Sequence, residues 1–223
     1  VSANTAGRAQ DQVVAEIQAR LARLNLPPGY SIRIEGQFQA QQHAMRLIAM
    51  LAGISVVLIF LILYQRYRSV ALSLIVMGNL PLALIGGVAG LWLAQAPLSV
   101  ASLVGFITLT GIASRNGILK LSHYLNLARQ HGLQFSDELI VRGALERMTP
   151  VLMTASVAAL ALVPLLLAAD APGKEILHPV AVVIFGGLIS STLLDAFITP
   201  LLFKLFGQRP LDKLLAAASS QSF

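Results

Sequence analysis

Cysteine is absent from the 223-residue sequence, which excludes disulfide bonds and thiolate metal sites within it. Charged residues are also scarce, at 12% of the chain, which is about half the share found in ordinary soluble domains. Apolar residues make up 56%, and the mean hydropathy is +0.75. A chain with so little charge cannot present a solvated surface over most of its length. These values indicate an integral membrane protein.

The sequence also lacks the motifs that carry catalysis or tight metal binding. Its four histidines lie far apart, with no spacing that brings two onto one helical face, and its five methionines are equally dispersed. No nucleophile elbow, catalytic triad or glycine-rich phosphate loop is recognisable. We therefore expect neither an enzyme nor a resident metal or cofactor in this chain.

Long segments without any charged residue make up much of the chain. Five segments of 16 to 25 residues contain no Asp, Glu, Lys or Arg, and they are residues 47–64, 70–94, 98–114, 150–169 and 179–194. A helix needs roughly 20 apolar residues to cross about 30 Å of hydrocarbon. The two shortest segments reach that length only if the helix continues past a charge, into Arg115 and into Asp195. The predicted fold class is an α-helical membrane protein with about five spanning helices.

The net charge of +6 is distributed so as to orient these helices, and it does not suggest a nucleic-acid partner. Eight cations lie in the short loops and tail of one side, whereas the opposite short loops, residues 95–97 and 170–178, hold only Lys174. The eight are Arg66, Arg68, Arg129, Arg142, Arg147, Lys204, Arg209 and Lys213. By the positive-inside rule the first side faces the cytoplasm. The N-terminal 42 residues then lie outside and the C-terminus inside.

The N-terminal residues 1–38 read as part of a soluble domain. Apolar residues recur at helical spacing between residues 13 and 21, and they alternate with polar residues as in a strand between 30 and 35. These patterns predict a β-α-β fragment. Because no signal peptide precedes this polar stretch, which must be translocated, we expect that earlier membrane helices lie upstream.

The predicted transmembrane domain covers residues 39–207. Its spanning helices are placed at about residues 39–65, 69–94, 98–125, 149–169 and 179–206. Pro81 lacks a backbone N–H and is expected to kink the second of them. In the fifth, Gly186 and Ser190 form one of two small-xxx-small pairs, the spacing that lets helix backbones approach closely.

Two further segments lie on the cytoplasmic side. Ser136, followed by Asp137 and Glu138, is typical of a helix start. Residues 136–147 are therefore expected to form a short helix on the membrane surface, separate from the span that follows it. Residues 208–223 are assigned to a cytoplasmic tail.

Charged residues stand inside the predicted spans. Arg115 comes 17 residues after Leu98, and Asp195 comes 16 after Pro179; at about 1.5 Å per residue, both lie roughly 24–26 Å from the outer boundary. A charge at the centre of a span costs on the order of 3 kcal/mol on insertion scales, so it usually has a partner or a function. Lys120 lies a turn and a half further in, where its side chain can extend to cytoplasmic water. We expect Asp195 to pair with a cation of the third helix, either Arg115 or Lys120.

Three segments together resemble the last three helices of RND-type efflux permeases. In chain order they are GFITLTGIASRNGIL, RMTPVLMTASVAALALVPLLLA and EILHPVAVVIFGGLISSTLL. The resemblance covers essentially all 223 residues, and HPVAVVIFGGLISSTLL is closest to the heavy-metal efflux branch. It implies a five-helix transmembrane half-bundle, helices eight to twelve of a twelve-helix protein. Residues 1–38 are then the end of the periplasmic porter domain, a small α/β fragment.

The resemblance also implies a proton relay. In drug-exporting members, the motif similar to GIASRNGIL has a lysine where this chain has Arg115, followed by Asn116. That cation pairs with two aspartates on a central helix of the first half, and protonation of the aspartates breaks the pairing. In the next helix, Arg147 and Thr154 match relay residues. Arginine stays protonated under all working conditions, so Arg115 is expected to act as a switchable partner and not as a proton donor.

The family implies a secondary transporter, a proton antiporter of the inner membrane of a Gram-negative bacterium. Its expected partners are the remainder of the same permease chain, two further copies in a homotrimer, a periplasmic adaptor and an outer-membrane channel, with protons exchanged for the exported substrate. Heavy-metal cations are the expected substrate. Metal-branch pumps commonly lack a cation at the position of Arg115, so export of drugs or other amphiphiles stays open. A non-transporting RND-like component, such as a protein-translocation subunit, also stays open, although Arg115, Arg147 and Thr154 count against it.

Overall fold

A computed structural model gives the fold of residues 10–21, 23, 37–130, 135–167 and 176–219. These residues form helices only, and no strand occurs among them. The helices are α1 (Gln10–Leu21), α2 (Gln37–Tyr67), α3 (Val70–Met77), α4 (Asn79–Leu93), α5 (Val100–Gln130), α6 (Asp137–Leu166), α7 (Leu177–Phe206) and α8 (Gln208–Ser219). The strand predicted between residues 30 and 35 lies outside the described residues. Of the predicted β-α-β fragment, only its helix is therefore described, as α1.

The described residues include four helical segments that are long and apolar enough to cross a membrane. They are Gln39–Tyr67, Val70–Leu93, Asp137–Leu166 and Leu177–Phe206. The protein is therefore a multi-pass α-helical membrane protein. Helix α5, the predicted third span, is 31 residues long, but Arg115, Asn116 and Lys120 lower the apolarity of its centre. A fifth span remains a prediction.

The second predicted span is broken at Gly78 into α3 and α4. Pro81 has no N–H to donate to the carbonyl of Met77, four residues earlier. The ladder of backbone hydrogen bonds is therefore interrupted at this point. The N–H of Gly78 bonds back to the carbonyl of Leu74 at 2.8 Å. Asn79 consequently begins a new helix in the middle of the span.

Helix α6 begins where the sequence predicts and then continues further than expected. The Ser136 side chain accepts a hydrogen bond from the N–H of Leu139 at 3.3 Å, and Asp137 and Glu138 occupy the first turn. In place of a surface helix at 136–147 and a separate span from 149, one helix runs from Asp137 to Leu166 with Pro150 in its interior. A proline removes only one backbone hydrogen bond, whereas ending a helix at a membrane exposes many unpaired backbone groups.

Residues 208–219, predicted only as a tail, form α8, which packs against the other helices. Leu211 is fully buried, and Leu214 is partly buried against the same apolar cluster. The cluster includes Tyr124 of α5 and Phe203 of α7, whose rings stack with centroids 4.7 Å apart. We call the end of the molecule where α5 and α7 finish the inner end.

Helix α7 occupies the centre, in contact with α4, α5 and α6. Its closest approach is to α4, where a Cβ added to Gly86 would overlap the backbone of Gly186 and the side chain of Ser190. The Ser190 hydroxyl donates to the carbonyl of Leu82 at 2.7 Å. The small residues predicted to favour close packing therefore face α4. This central position places Asp195 inside the protein.

Candidate functional site

A lysine of α5 and an aspartate of α7 form a buried ion pair. Lys120 Nζ lies 2.5 Å from Asp195 Oδ2 and donates a second hydrogen bond to the main-chain oxygen of Asp195 at 2.8 Å. Lys120 is 4% exposed and Asp195 is 5% exposed. Burying two charges costs several kcal/mol for each ion, and only close pairing with further hydrogen bonds repays that cost. The pair joins α5 to α7 across the interior of the protein.

Helical geometry explains why Lys120 contacts Asp195 and Arg115 does not. The two cations are five residues apart, which on a helix with about 100° per residue separates their directions by about 140°. They therefore leave α5 on different faces. Helical side chains also tilt toward the N-terminus of their helix, so Lys120 reaches back to the depth of Asp195. Arg115 faces away from the other described helices and is exposed.

Two uncharged polar residues extend the ion pair into a larger group. Thr199 follows Asp195 by one turn of α7, and its Oγ1 hydrogen bonds with Asp195 Oδ1 and lies 2.8 Å from Asn79 Oδ1. Asn79, Lys120, Asp195 and Thr199 are each at most 5% exposed, and we call them the polar cluster. Gly117 of α5 leaves room for it, because an added Cβ there would lie 2.7 Å from Asn79 Nδ2. The polar cluster thus links α4, α5 and α7.

A cavity of about 450 Å³ lies beside the polar cluster. Lys120 lines it from α5, Arg147 from α6, and Thr192 and Asp195 from α7. Arg147 Nε and Thr192 Oγ1 are buried atoms without a hydrogen-bond partner among the described residues. The rest of the lining is apolar and includes Met148, Val151, Leu152, Leu193 and Phe197, so the polar groups occupy only part of its wall.

The predicted relay residues fall into two groups. Arg147 is partly buried and lines the cavity, so the structure brings it near the polar cluster. Arg115 and Thr154 are exposed and Asn116 is partly exposed. The Thr154 hydroxyl donates within its own helix, to the carbonyl of Val151 at 3.0 Å. Among the described residues, no ion pair or hydrogen bond joins Arg115 to Arg147 or Thr154.

The sequence analysis missed three polar residues of this site, namely Asn79, Thr192 and Thr199. Signals for two of them were present. Thr199 follows Asp195 by four residues and therefore shares its helical face. Asn79 is a strongly polar residue inside an uncharged span, two residues before Pro81. No local pattern pointed to Thr192, whose side chain matters only because α6 leaves a cavity beside it.

The sequence of this chain is similar to those of known proteins. The model of the AcrB/AcrD/AcrF family matches residues 1–207. The chain is 35% identical over 213 residues to the cobalt-zinc-cadmium resistance protein CzcA of Cupriavidus metallidurans, covering 95% of this chain and 20% of that protein. It is 39% identical over 203 residues to the nickel and cobalt resistance protein CnrA of the same species, covering 91% and 19%.

Solved structures are similar as well. The crystal structure of a heavy metal efflux pump matches with a TM-score of 0.74 at 34% sequence identity, covering 91% of this chain and 20% of that one. This chain therefore spans about a fifth of the length of the curated relatives that it matches.

Proposed function

This chain belongs to the AcrB/AcrD/AcrF family, and from that membership we propose that it is the C-terminal part of a proton-driven RND efflux permease for heavy-metal cations. The observation that carries the proposal is 35–39% identity, over more than nine-tenths of the chain, to proteins named for cobalt, zinc, cadmium and nickel resistance. Within the permease, these residues supply helices eight to twelve. Residues 1–38 supply the end of the periplasmic porter domain, and the substrate pocket lies in other parts of the protein.

Arg115 is the residue of this C-terminal part that responds to protonation elsewhere in the permease. A permanent cation on a spanning helix needs a counter-charge, and the described residues offer Arg115 none. Its exposed position on α5 leaves it free to contact a neighbouring part of the permease. Carboxylates of the other half pair with it when ionised and lose it when protonated. The pairing therefore differs between the two protonation states, and such a difference is what drives a conformational change.

Three other residues complete the proposed relay. Asn116 stands beside Arg115 on the partly exposed side of α5. Arg147 and Thr154 are seven residues apart on α6, two turns along one helical face. Arg147 connects this face to the cavity beside the polar cluster. The permease works as a homotrimer in the inner membrane of a Gram-negative bacterium, with a periplasmic adaptor and an outer-membrane channel.

Export of amphiphilic drugs is the second candidate function, and Arg115 is the observation that favours it. Its position corresponds to the relay lysine of drug exporters, whereas metal exporters of the family commonly lack a cation there. The substrate therefore has to be tested directly.

The test uses the full-length permease, expressed with its adaptor and channel in a host that lacks its own metal exporters. Wild-type protein is expected to raise the tolerated concentration of cobalt, nickel, zinc or cadmium. Arg115→Ala should abolish this tolerance at an unchanged level of assembled protein, because Arg115 makes no hydrogen bond or ion pair with the described residues. Arg129→Ala, which removes an exposed cation at the inner end of the same helix, is the matched control and should keep full tolerance.

Each alternative outcome has a definite meaning. Tolerance to amphiphilic drugs without tolerance to metals would assign the substrate to the drug class. Metal tolerance that survives Arg115→Ala would contradict the relay role of Arg115. It would not contradict the proposal that the permease exports metals.

A further inference from the structure

Thr199 has one hydroxyl hydrogen but lies between two acceptors. Its Oγ1 hydrogen bonds with Asp195 Oδ1 and lies 2.8 Å from Asn79 Oδ1. A hydroxyl donates one hydrogen bond and accepts up to two. Both contacts are therefore satisfied only when one neighbour supplies a hydrogen to Thr199. That neighbour is either the amide of Asn79 or a protonated Asp195.

Each protonation state of Asp195 has its own arrangement of these hydrogen bonds. When Asp195 is ionised, Thr199 donates to Oδ1, and Asn79 turns its amide so that Nδ2 donates to Thr199. When Asp195 is protonated, Oδ1–H donates to Thr199, and Thr199 donates to Asn79 Oδ1. In the orientation present in the structure, Asn79 Nδ2 is buried without a partner among the described residues. The direction of this hydrogen-bond chain thus depends on whether Asp195 carries a proton.

Lys120 keeps a hydrogen bond to Asp195 whether the Asp195 carboxyl group is ionised or protonated. With Asp195 ionised, Nζ pairs with Oδ2 at 2.5 Å. With Asp195 protonated, Nζ still donates to the main-chain oxygen of Asp195 at 2.8 Å. This second hydrogen bond leaves the buried ammonium one acceptor, although its counter-charge is gone.

The cavity provides the proton with a route to the carboxylate. Asp195 and Lys120 line it together with Arg147 and Thr192. The charged and titratable groups around Asp195 are Lys120 and Tyr124 from α5 and Arg147 from α6. Helices α3 and α4, which reach the polar cluster through Asn79, contain no titratable side chain.

We propose that Asp195 is a second proton-binding site of this permease, separate from the carboxylates that pair with Arg115, and that Asn79 couples its occupancy to the break between α3 and α4. A hydronium ion in the cavity gives its proton to the carboxylate and becomes water, and the charge attraction that holds Lys120 to Oδ2 is lost. The hydroxyl of Thr199 reverses, and the amide of Asn79 turns at the first residue of α4. The inference rests on the proposed function, since it assigns a second proton site to a proton-driven transporter.

The experiment is pH-difference infrared spectroscopy of the purified full-length permease, recorded without substrate. Acidification should produce a carboxylic-acid C=O band in the wild type, and Asp195→Asn should lack it. Glu146→Gln, which removes an exposed carboxylate, should keep the band. In Lys120→Met the band should already be present at neutral pH, because no cation stabilises the ionised carboxylate.

A second measurement follows the coupling to the helix break. After correction for the intrinsic pH dependence, hydrogen exchange of residues 70–93 should change with acidification in the wild type. It should no longer do so in Thr199→Val, where Asp195 still binds a proton but the hydroxyl that connects it to Asn79 is gone. Identical pH responses in the wild type and Thr199→Val would contradict the coupling.

The proton site itself is overturned if the wild type and Asp195→Asn give the same difference spectrum. If Asp195→Asn does not fold, Asp195→Glu replaces it, and an unchanged band position in that variant has the same meaning. A permease that shows the Asp195 band but transports nothing would count against the proposed function alone. The two proposals can therefore fail separately.

Discussion

Removing one partner of the Lys120–Asp195 pair should destabilise the protein more than removing both. Lys120→Met keeps the apolar stem of the side chain and removes its charge. Asp195→Leu replaces the carboxylate with an apolar group of similar shape. Each single variant leaves a charge that is at most 5% exposed without its counter-ion, whereas the double variant leaves no buried charge at this position.

The structure sets the expected magnitude. At 2.5 Å the attraction of two unit charges is about 7 kcal/mol for an effective dielectric constant of about 20, and dehydration of both ions offsets most of it. Breaking a buried pair by removing one partner typically costs about 3–5 kcal/mol. We expect each single variant to fall in that range. The double variant should cost about 1–2 kcal/mol, chiefly because Thr199 loses the carboxylate to which it is bonded.

The assay is a double-mutant cycle on the full-length permease in detergent, with thermal loss of the assembled protein as the readout. A second cycle on Lys204 and Asp137, whose charged atoms are 2.7 Å apart, is the matched control. These side chains are 53% and 73% exposed, and exposed pairs couple by about 0–1 kcal/mol. The buried cycle should show a coupling of about 4 kcal/mol or more, well above the control.

One result would refute this reasoning. The losses of thermal stability in Lys120→Met and Asp195→Leu could add up to the loss in the double variant, as closely as in the control cycle. In that case the two residues do not form a buried ion pair. A coupling of the opposite sign would have the same meaning.

Two further predictions concern packing and topology. Gly86→Ala should destabilise the protein by about 1–3 kcal/mol, because its Cβ would overlap the backbone of α7, whereas Gly53→Ala, where a Cβ meets nothing within 4 Å, should have little effect on thermal stability. Equal thermal stability of the two variants would contradict the close contact of α4 and α7. For topology, cysteine introduced at Pro172 should react with an impermeant thiol reagent from the periplasmic side, and cysteine at Gln134 should not, as the eight-to-one distribution of loop cations requires. Periplasmic labelling at Gln134 would show that the orientation is the opposite of the predicted one.

Features that depend on a short stretch of chain were predictable. Uncharged runs mark the apolar spans because burying a charge in hydrocarbon is costly wherever the rest of the protein lies. The Ser136 cap is a contact between a side chain and a backbone N–H three residues later, so it needs no tertiary information. The break near Pro81 follows from the missing N–H of proline.

Features that depend on competition between local signals were predicted less well. The sequence predicts a surface helix at 136–147 and a separate span from residue 149, but α6 continues through Pro150 because one helix pairs more backbone groups than two separate ones would. The sequence assigns residues 208–223 to a tail beyond the last apolar span. Leu211 and Leu214 find a binding surface on the inner end only after α5 and α7 have formed it.

The partly predictable site is the most informative case. The sequence alone determined that Asp195 lies deep in a span, at a depth similar to that of a cation on α5, because depth follows from counting residues at a constant rise. It did not determine which cation, since depth says nothing about rotation around the helix axis. That rotation depends on contacts between residues far apart in the chain, such as Gly117 against Asn79 and Gly187 against Leu109. Those contacts turn Lys120 toward α7 and Arg115 away from it, and only the packed structure contains them.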